Sequence, residues 1–466
     1  MNWRGRIAGL LVIVFLVFCS AASLVAAGMP GSLRSSVDEL ARKTLAESGV
    51  PSASIAVVQD GAITYLQAYG DGSIDPHKVA APSMRYSIGS ISKQFTAAAI
   101  LLLAEDGKLS LDDPVSKFVP NLTRGNEVTI RELLSHTSGY QDYWPQDYVM
   151  PSMLQPVTAD KILDQWARKP LDFDPGTDWQ YSNTNFVIAG LIVEKASGKP
   201  LLRFLSDRIF SPLGMKSVIN IDQDRLTETD AAGYMRYATG PLRPSPKEGK
   251  GWLFAAGELA MPAEDLAKWD ISMINESLLK PASYEAMERE TVLKNGLGTN
   301  YGLGVGVRKA LANRAIEHGG EVSGFTAENL VFPDKKIAVV VLTNEDAVPA
   351  SGDLARKIAT LLFRDPDAAR QEEQAETIFA SLQRGKIDRA LLTDNCNSYF
   401  TEQALKDFGD SLGPLGAPAE FTQTSKSDRG GMTFRLFEVH FAKKTLEVLE
   451  RIMPDGKIEQ YQVATK

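Results

Sequence analysis

The stretch that decides the fold runs from Tyr86 to Asp113, YSIGSISKQFTAAAILLLAEDGKLSLDD. A glycine-led turn holding Ser90 gives way to a long apolar helix, and Lys93 stands at the mouth of that helix. A nucleophilic serine must lose its proton as it attacks. A helix N-terminus favours the developing negative charge, because its free N–H groups point at it. Lys93 lies one turn on from Ser90 and on the same face. An amine there can take the serine proton only when it is neutral. Free lysine titrates near ~10.4, so a base for neutral pH must be held about three pH units lower, roughly 4 kcal/mol. Burial and a positive helix end supply energies of that order. The apolar run is therefore the means of tuning the lysine.

Ser-x-x-Lys alone is a weak pattern, and a second copy, Ser277-Leu278-Leu279-Lys280, has only a helix tail around it. Its companions decide. Tyr-x-Asn occurs in DWQYSNTNF as Tyr181 and Asn183, before a helical stretch that begins TNFVIAGLIVEK. A phenol there can relay a proton among serine, lysine and leaving group, and the asparagine amide can hold a substrate carbonyl. A buried tyrosine capping a turn is the plain alternative. In EHGGEVSGF, His318 precedes Gly319 and Gly320 just before a strand. Two glycines let a substrate backbone lie close to the main chain. The histidine can donate to a substrate carboxylate or carbonyl, or it is simply an exposed loop residue.

These three elements, in this order, resemble the constellation of penicillin-recognising serine enzymes. The chain is similar to the family of class C β-lactamases, D-alanyl-D-alanine carboxypeptidases and related esterases. The resemblance extends through VTIRELLSHTSGY (Val128 to Tyr140), PGTDWQYSNTNFVIAGLIVEKASGKPL (Pro175 to Leu201), IFSPLGM (Ile209 to Met215) and AAGELAMPAEDLAKW (Ala255 to Trp269). It covers roughly residues 35 to 363. It implies that Ser90 is the acylated nucleophile, with Lys93 and Tyr181 as base and proton relay; which of the two takes the first proton stays open. It implies that Asn183 orients the substrate amide, and that the backbone N–H groups of Ser90 and Glu321 form the oxyanion hole.

The chain departs from the β-lactamase pattern at its third motif. Many family members have Lys-Thr-Gly where this one has His318-Gly319-Gly320. A lysine there is a fixed positive charge for a carboxylate, whereas a histidine near ~6.5 is mostly neutral at pH 7. Glu321, where a small residue often stands, adds negative charge. The expectation is a serine hydrolase of esters, amides or D-peptides rather than a potent β-lactamase, acting on a small-molecule or peptide substrate without a cofactor. The rival is a catalytically silent protein that kept the pocket to bind cell-wall or protein partners. The joint presence of Ser90, Lys93, Tyr181 and Asn183 speaks against it.

The whole chain has 466 residues, 44% hydrophobic and 23% charged, with a net charge of −8. That is globular composition, with no basic block to offer a nucleic acid. Residues 1–27 differ in kind: Arg4 and Arg6 precede an apolar run from Ile7 to Phe18, and Val25-Ala26-Ala27 ends it. They read as a secretory signal peptide, with an uncleaved membrane anchor as the alternative. Export to the periplasm or outside the cell follows, with no stable membrane span after cleavage. Cys19 and Cys396 are the only cysteines, so cleavage leaves one thiol and no intrachain disulfide. Cys396 reads as a buried structural thiol.

The fold class expected is α/β (α+β): a β-lactamase/transpeptidase-like antiparallel sheet flanked by helices, an all-helical region, and a small C-terminal α+β domain. Ser36-Val37-Asp38-Glu39 reads as a capping box. Asp60-Gly61 reads as a hairpin turn between two β-rich runs. The middle, from Ile91 to about Met287, reads as mostly helical and broken by Pro/Gly/Asp loops, and strands return from Tyr301 to Asn344. The hydrolase domain is placed at 28–365 and the accessory domain at 366–466. Arg364 to Thr377 reads as a linker or an exposed helix start. LQRGKIDRALLT and MPDGKIEQYQV give the last module a resemblance to nuclear-transport-factor-like domains, as a packing or binding accessory. Gly409-Asp410-Ser411-Leu412-Gly413 fits the Gly-x-Ser-x-Gly elbow, but it runs into GPLGAP and reads as a turn. GLGTNYGLGVG reads as a loop and strand, since no helix follows it. His77, His136, His318 and His440 are scattered, so no metal is implied; His136 reads as satisfying a helix end.

Overall fold

The computed structural model describes residues 28–146, 148–363 and 366–466. The 1–27 signal reading lies outside them. The described chain forms two compact units that meet in sequence at Leu362/Phe363. No helix among the described residues is long and apolar enough to cross a membrane.

The first unit is built on a seven-stranded antiparallel sheet made from both ends of its sequence. Its strands are β1 (Ser52–Gln59), β2 (Ala62–Ser73), β3 (Lys78–Val79), β4 (Gly306–Ala310), β5 (Asn313–Val322), β6 (Phe325–Phe332) and β7 (Ile337–Thr343). The order is β3-β2-β1-β7-β6-β5-β4. β1, rich in Val, Ile and Ala, is central and almost wholly buried, as a strand covered on both faces must be. Asp60 and Gly61 take φ +52° and +75°, the left-handed pair that a two-residue hairpin needs.

Helix α1 (Gly31–Ser48) packs beside β1 and β2. The capping box expected at Ser36 is not formed. The helix starts at Gly31 behind Pro30, and the Ser36 hydroxyl donates back to the Ser32 carbonyl at 3.2 Å. Pro30 carries a fixed φ and ends the extended segment, so the start moves one and a half turns upstream. A capping box does form at Thr129 and Glu132, opening α3 (Ile130–Leu134).

α2 (Ser92–Glu105) is buried from Ser92 through Leu103, as its all-round hydrophobicity demands. It packs on α4 (Asn183–Ser197), while α5 (Ala263–Asn275) lies against the sheet. The middle is less helical than expected: from Gly214 to Pro262 there are short strand pieces and loops. GPLRPSPKEGKG, in that span, carries too many prolines and glycines for a helix. α6 (Ala350–Phe363) closes the unit.

The second unit has α7 (Pro366–Leu382), α8 (Asp394–Tyr399), α9 (Glu402–Leu412) and an antiparallel sheet of β8 (Glu420–Arg429), β9 (Met432–Phe441), β10 (Lys444–Ile452) and β11 (Ile458–Thr465). From Pro366 on, the charged stretch expected as a linker or helix start belongs to α7. Gly409–Gly413 corrects a further expectation. It is the last turn of α9 rather than a turn between elements, and the Ser411 hydroxyl donates to the Asp407 carbonyl. Cys396 is buried on α8.

Candidate active site

Ser90 sits in a single 3-10 turn, Gly89–Ile91, that runs straight into α2. Two glycines press this turn against β5. A Cβ on Gly320 would lie 1.9 Å from the Ile88 carbonyl oxygen. One on Gly89, at φ +49°, would lie 2.6 Å from the Glu321 amide nitrogen. Only glycine allows that approach. The Ser90 turn and the main chain at Glu321 therefore stand side by side, while the Glu321 carboxylate is turned to accept the Ala347 N–H at 2.9 Å.

Lys93 is fully buried. Its Nζ lies 2.9 Å from Ser90 Oγ, 2.8 Å from Asn183 Oδ1 and 2.8 Å from the Ala256 carbonyl. It also lies 4.9 Å from the Tyr181 ring centre. Two of the three partners can only accept; the serine hydroxyl can donate or accept. An ammonium fills all three. A neutral amine keeps the two carbonyl bonds and offers its lone pair to the serine proton, so only the hydroxyl must rotate. Burial lowers the amine to about 7. The Tyr181 phenol is pushed above its usual value by burial, partly offset by its interaction with the Ser90 side chain. Near pH 7 the neutral amine is abundant and the phenolate is scarce.

His318 is buried and its imidazole is occupied. Nδ1 donates to the Gly319 carbonyl at 2.6 Å, and Nε2 accepts from the Tyr301 hydroxyl at 2.8 Å. Burial, with Lys93 nearby, lowers it to about 4, so it is uncharged at neutral pH. It has no free N–H for a substrate carboxylate. Its two ring contacts tie it to Tyr301 and to the main chain of its own strand.

Three groups of the site were not found by sequence motif. His136, at φ +59°, stacks on Tyr181 with ring centres 4.3 Å apart. Its Nδ1 accepts from the Ser182 N–H at 3.1 Å and from Asn185 Nδ2 at 3.3 Å, at the start of α4. The helix end it satisfies is therefore that of α4, directly under the phenol. Asp142 accepts the Asn183 N–H at 2.8 Å. The Ala256 carbonyl comes from a turn in which Ala255 takes φ +59°. A backbone acceptor and a distant carboxylate leave no motif. The His-Thr-Ser-Gly run was the available signal for His136.

Ser90, Tyr181, Asn183, His318, Gly320 and Glu321 all line one cavity of about 1820 Å³ in the first unit. Trp144, Tyr148, Trp179 and Tyr237 line it too. Tyr148 and Tyr237 are largely exposed. Among the described residues, no cluster of His, Cys, Asp and Glu is arranged to hold a metal ion.

The sequence profile of the beta-lactamase family matches residues 37–362. The chain belongs to the beta-lactamase family. Protein flp of Staphylococcus aureus (strain MW2) is 29% identical over 322 residues, covering 66% of this chain and 62% of its own length. This chain thus spans somewhat under two thirds of that relative. A D-stereospecific amidohydrolase from Streptomyces sp. is 26% identical, with a TM-score of 0.61 over 71% of this chain and 98% of its own. An octameric penicillin-binding protein homologue from Pyrococcus abyssi shares the fold at 23% identity, with a TM-score of 0.63 over 92% of this chain and 99% of its own.

Proposed function

We propose that this beta-lactamase family member is a serine hydrolase that forms an acyl-enzyme on Ser90. The observation that carries the reading is the buried Lys93 amine, 2.9 Å from the Ser90 hydroxyl and lowered to about 7. Lys93, rather than Tyr181, takes the first proton, since its neutral form is the accessible base. Ser90 Oγ attacks the substrate carbonyl, and the oxyanion is received by the N–H groups of Ser90 and Glu321. Tyr181 carries the proton to the leaving group and later orients the attacking water. Asn183 serves the site through Lys93, whose third contact it supplies.

The substrate class is an ester or amide, with D-amino-acid amides as the favoured natural type. The D-stereospecific amidohydrolase of Streptomyces supports this. So does the uncharged His318 where a fixed cation for a carboxylate would stand. Residues 1–27 direct export, and residues 366–466 are a nuclear-transport-factor-like accessory; three helices on a four-stranded antiparallel sheet are compatible with that.

The test is a panel of p-nitrophenyl esters, D- and L-amino-acid amides and a chromogenic cephalosporin, run with the wild-type chain and with Ser90→Ala. Ester and D-amide hydrolysis lost in Ser90→Ala supports the reading. Hydrolysis that survives the substitution, or no hydrolysis at all, contradicts it.

A further inference from the structure

The Asn183 amide is pinned at both ends. Its oxygen faces Lys93 Nζ at 2.8 Å. Its nitrogen faces Asp142 Oδ2 at 3.4 Å, and its backbone N–H donates to Asp142 Oδ1 at 2.8 Å. Asp142 Oδ1 also takes the Trp144 N–H at 3.2 Å. A flipped amide would set its NH₂ against the lysine donors and its oxygen against a carboxylate, losing both contacts. Asp142 therefore decides which end of Asn183 the lysine meets.

The charges around the amine point to the same residue. Ser90 faces it from the turn before α2, Asn183 and Phe186 from α4, Tyr181 from the segment before α4, and the Ala256 carbonyl from its turn. His136 and His318 stand near it, both held neutral by burial. Among the described residues, Asp142 is the negatively charged group whose field reaches it. Burial raises the Asp142 carboxyl, while the two backbone N–H groups and Lys93 pull it back.

We propose that Asp142 is a positioning residue for the Ser90 chemistry. Its carboxylate fixes the Asn183 amide so that Lys93 is held on the serine hydroxyl, and it balances the ammonium formed when Lys93 takes the serine proton. The proton moves from Ser90 Oγ to Lys93 Nζ, and Asp142 stays ionised throughout. This rests on the roles given to Ser90 and Lys93 above.

Asp142→Asn keeps the shape and an acceptor oxygen and removes the charge. The experiment is an NMR titration of the full chain carrying [ζ-15N]lysine, with the Lys93 signal assigned by its loss in Lys93→Met. Alongside it, the pH profile of ester kcat/KM is measured. The Lys93 midpoint and the acid limb are both expected to fall by about one pH unit, the size of one nearby opposite charge. Asp142→Glu is expected to restore part of both shifts. A folded Asp142→Asn whose Lys93 midpoint is unchanged overturns the proposal, whatever happens to the rate, because a carboxylate that merely braces the loop would slow the enzyme without moving the titration. If Asp142→Asn does not fold, Asp142→Ser gives the same decision. If the wild type shows no Ser90-dependent turnover, the hydrolase reading fails, and the amine titration still decides the role of Asp142.

Discussion

Replacing Lys93 by methionine is expected to make the first unit more stable while removing its activity, and the gain is expected to depend on pH. In the folded chain the amine is lowered from 10.5 to about 7, chiefly by burial. Below pH 7 the native state must hold a buried ammonium that the unfolded chain leaves in water. The interval between 7 and 10.5 corresponds to about 5 kcal/mol at ~1.36 kcal/mol per pH unit. The unfolded chain binds more protons across that interval, so wild-type stability rises with pH from about 7 towards 10.5. Lys93→Met removes this dependence. It also strips partners from Ser90, Asn183 Oδ1 and the Ala256 carbonyl. That cost is the same at every pH and cancels in the comparison. The stability difference between variant and wild type is therefore expected to be about 3 kcal/mol more favourable to the variant at pH 6 than at pH 9. Urea unfolding followed by tryptophan fluorescence reads it, because Trp144, Trp166, Trp179, Trp252 and Trp269 all lie in the first unit. The same difference at both pH values would mean that Lys93 titrates like an ordinary lysine, and the argument for it as the base would fail.

Gly320→Ala sets a methyl group 1.9 Å from the Ile88 carbonyl; the Ser90 turn and β5 are expected to separate, lowering ester kcat/KM at least tenfold, with a near-normal rate as the contrary result. Asp270 is buried, its Oδ1 accepting from Asn329 Nδ2 at 2.9 Å and its Oδ2 without a partner, and burial raises it to about 7. Its contribution is present below the ordinary carboxylate range and is lost as pH rises through 7, by about 4 kcal/mol in full; urea unfolding is therefore expected to find Asp270→Asn gaining on wild type between pH 5 and pH 8.5, and parallel curves would refute this. Cys396 is buried and its thiol is raised to about 11, chiefly by burial. A disulfide reagent at pH 7.5 is expected to label it slowly in the native chain and rapidly in denaturant, whereas fast native labelling would contradict its structural reading.

What could be read in the sequence was whatever lies within a turn or a strand of its neighbours. Ser90 and Lys93 are three residues apart, so helical geometry alone brings them together. Asp60-Gly61 carries its own hairpin geometry. Tyr181 and Asn183 needed the family resemblance, because no local rule brings them back to Lys93. The Ala256 carbonyl has no side-chain signature, and Asp142 belongs to none of the three motifs. His136 was assigned to a helix end, correctly, but the stacking on Tyr181 depends on a left-handed residue that no pattern announced. His318 was read as a donor, since its two ring partners, Tyr301 and the Gly319 carbonyl, become apparent only when β5 is packed. The Ser36 capping box failed for a similar reason: four matching letters do not exclude an earlier start behind a proline. The stretch Gly214 to Pro262 fell inside a middle read as mostly helical and broken by Pro/Gly/Asp loops, and the break proved longer than that reading allowed.

The most direct measurement is the intact mass of the chain after reaction with a fluorophosphonate, followed by mapping of the modified peptide. The account predicts a single adduct on Ser90, formed faster as pH rises through about 7 and absent from Ser90→Ala. An adduct on another residue, or none on a folded chain, would contradict it.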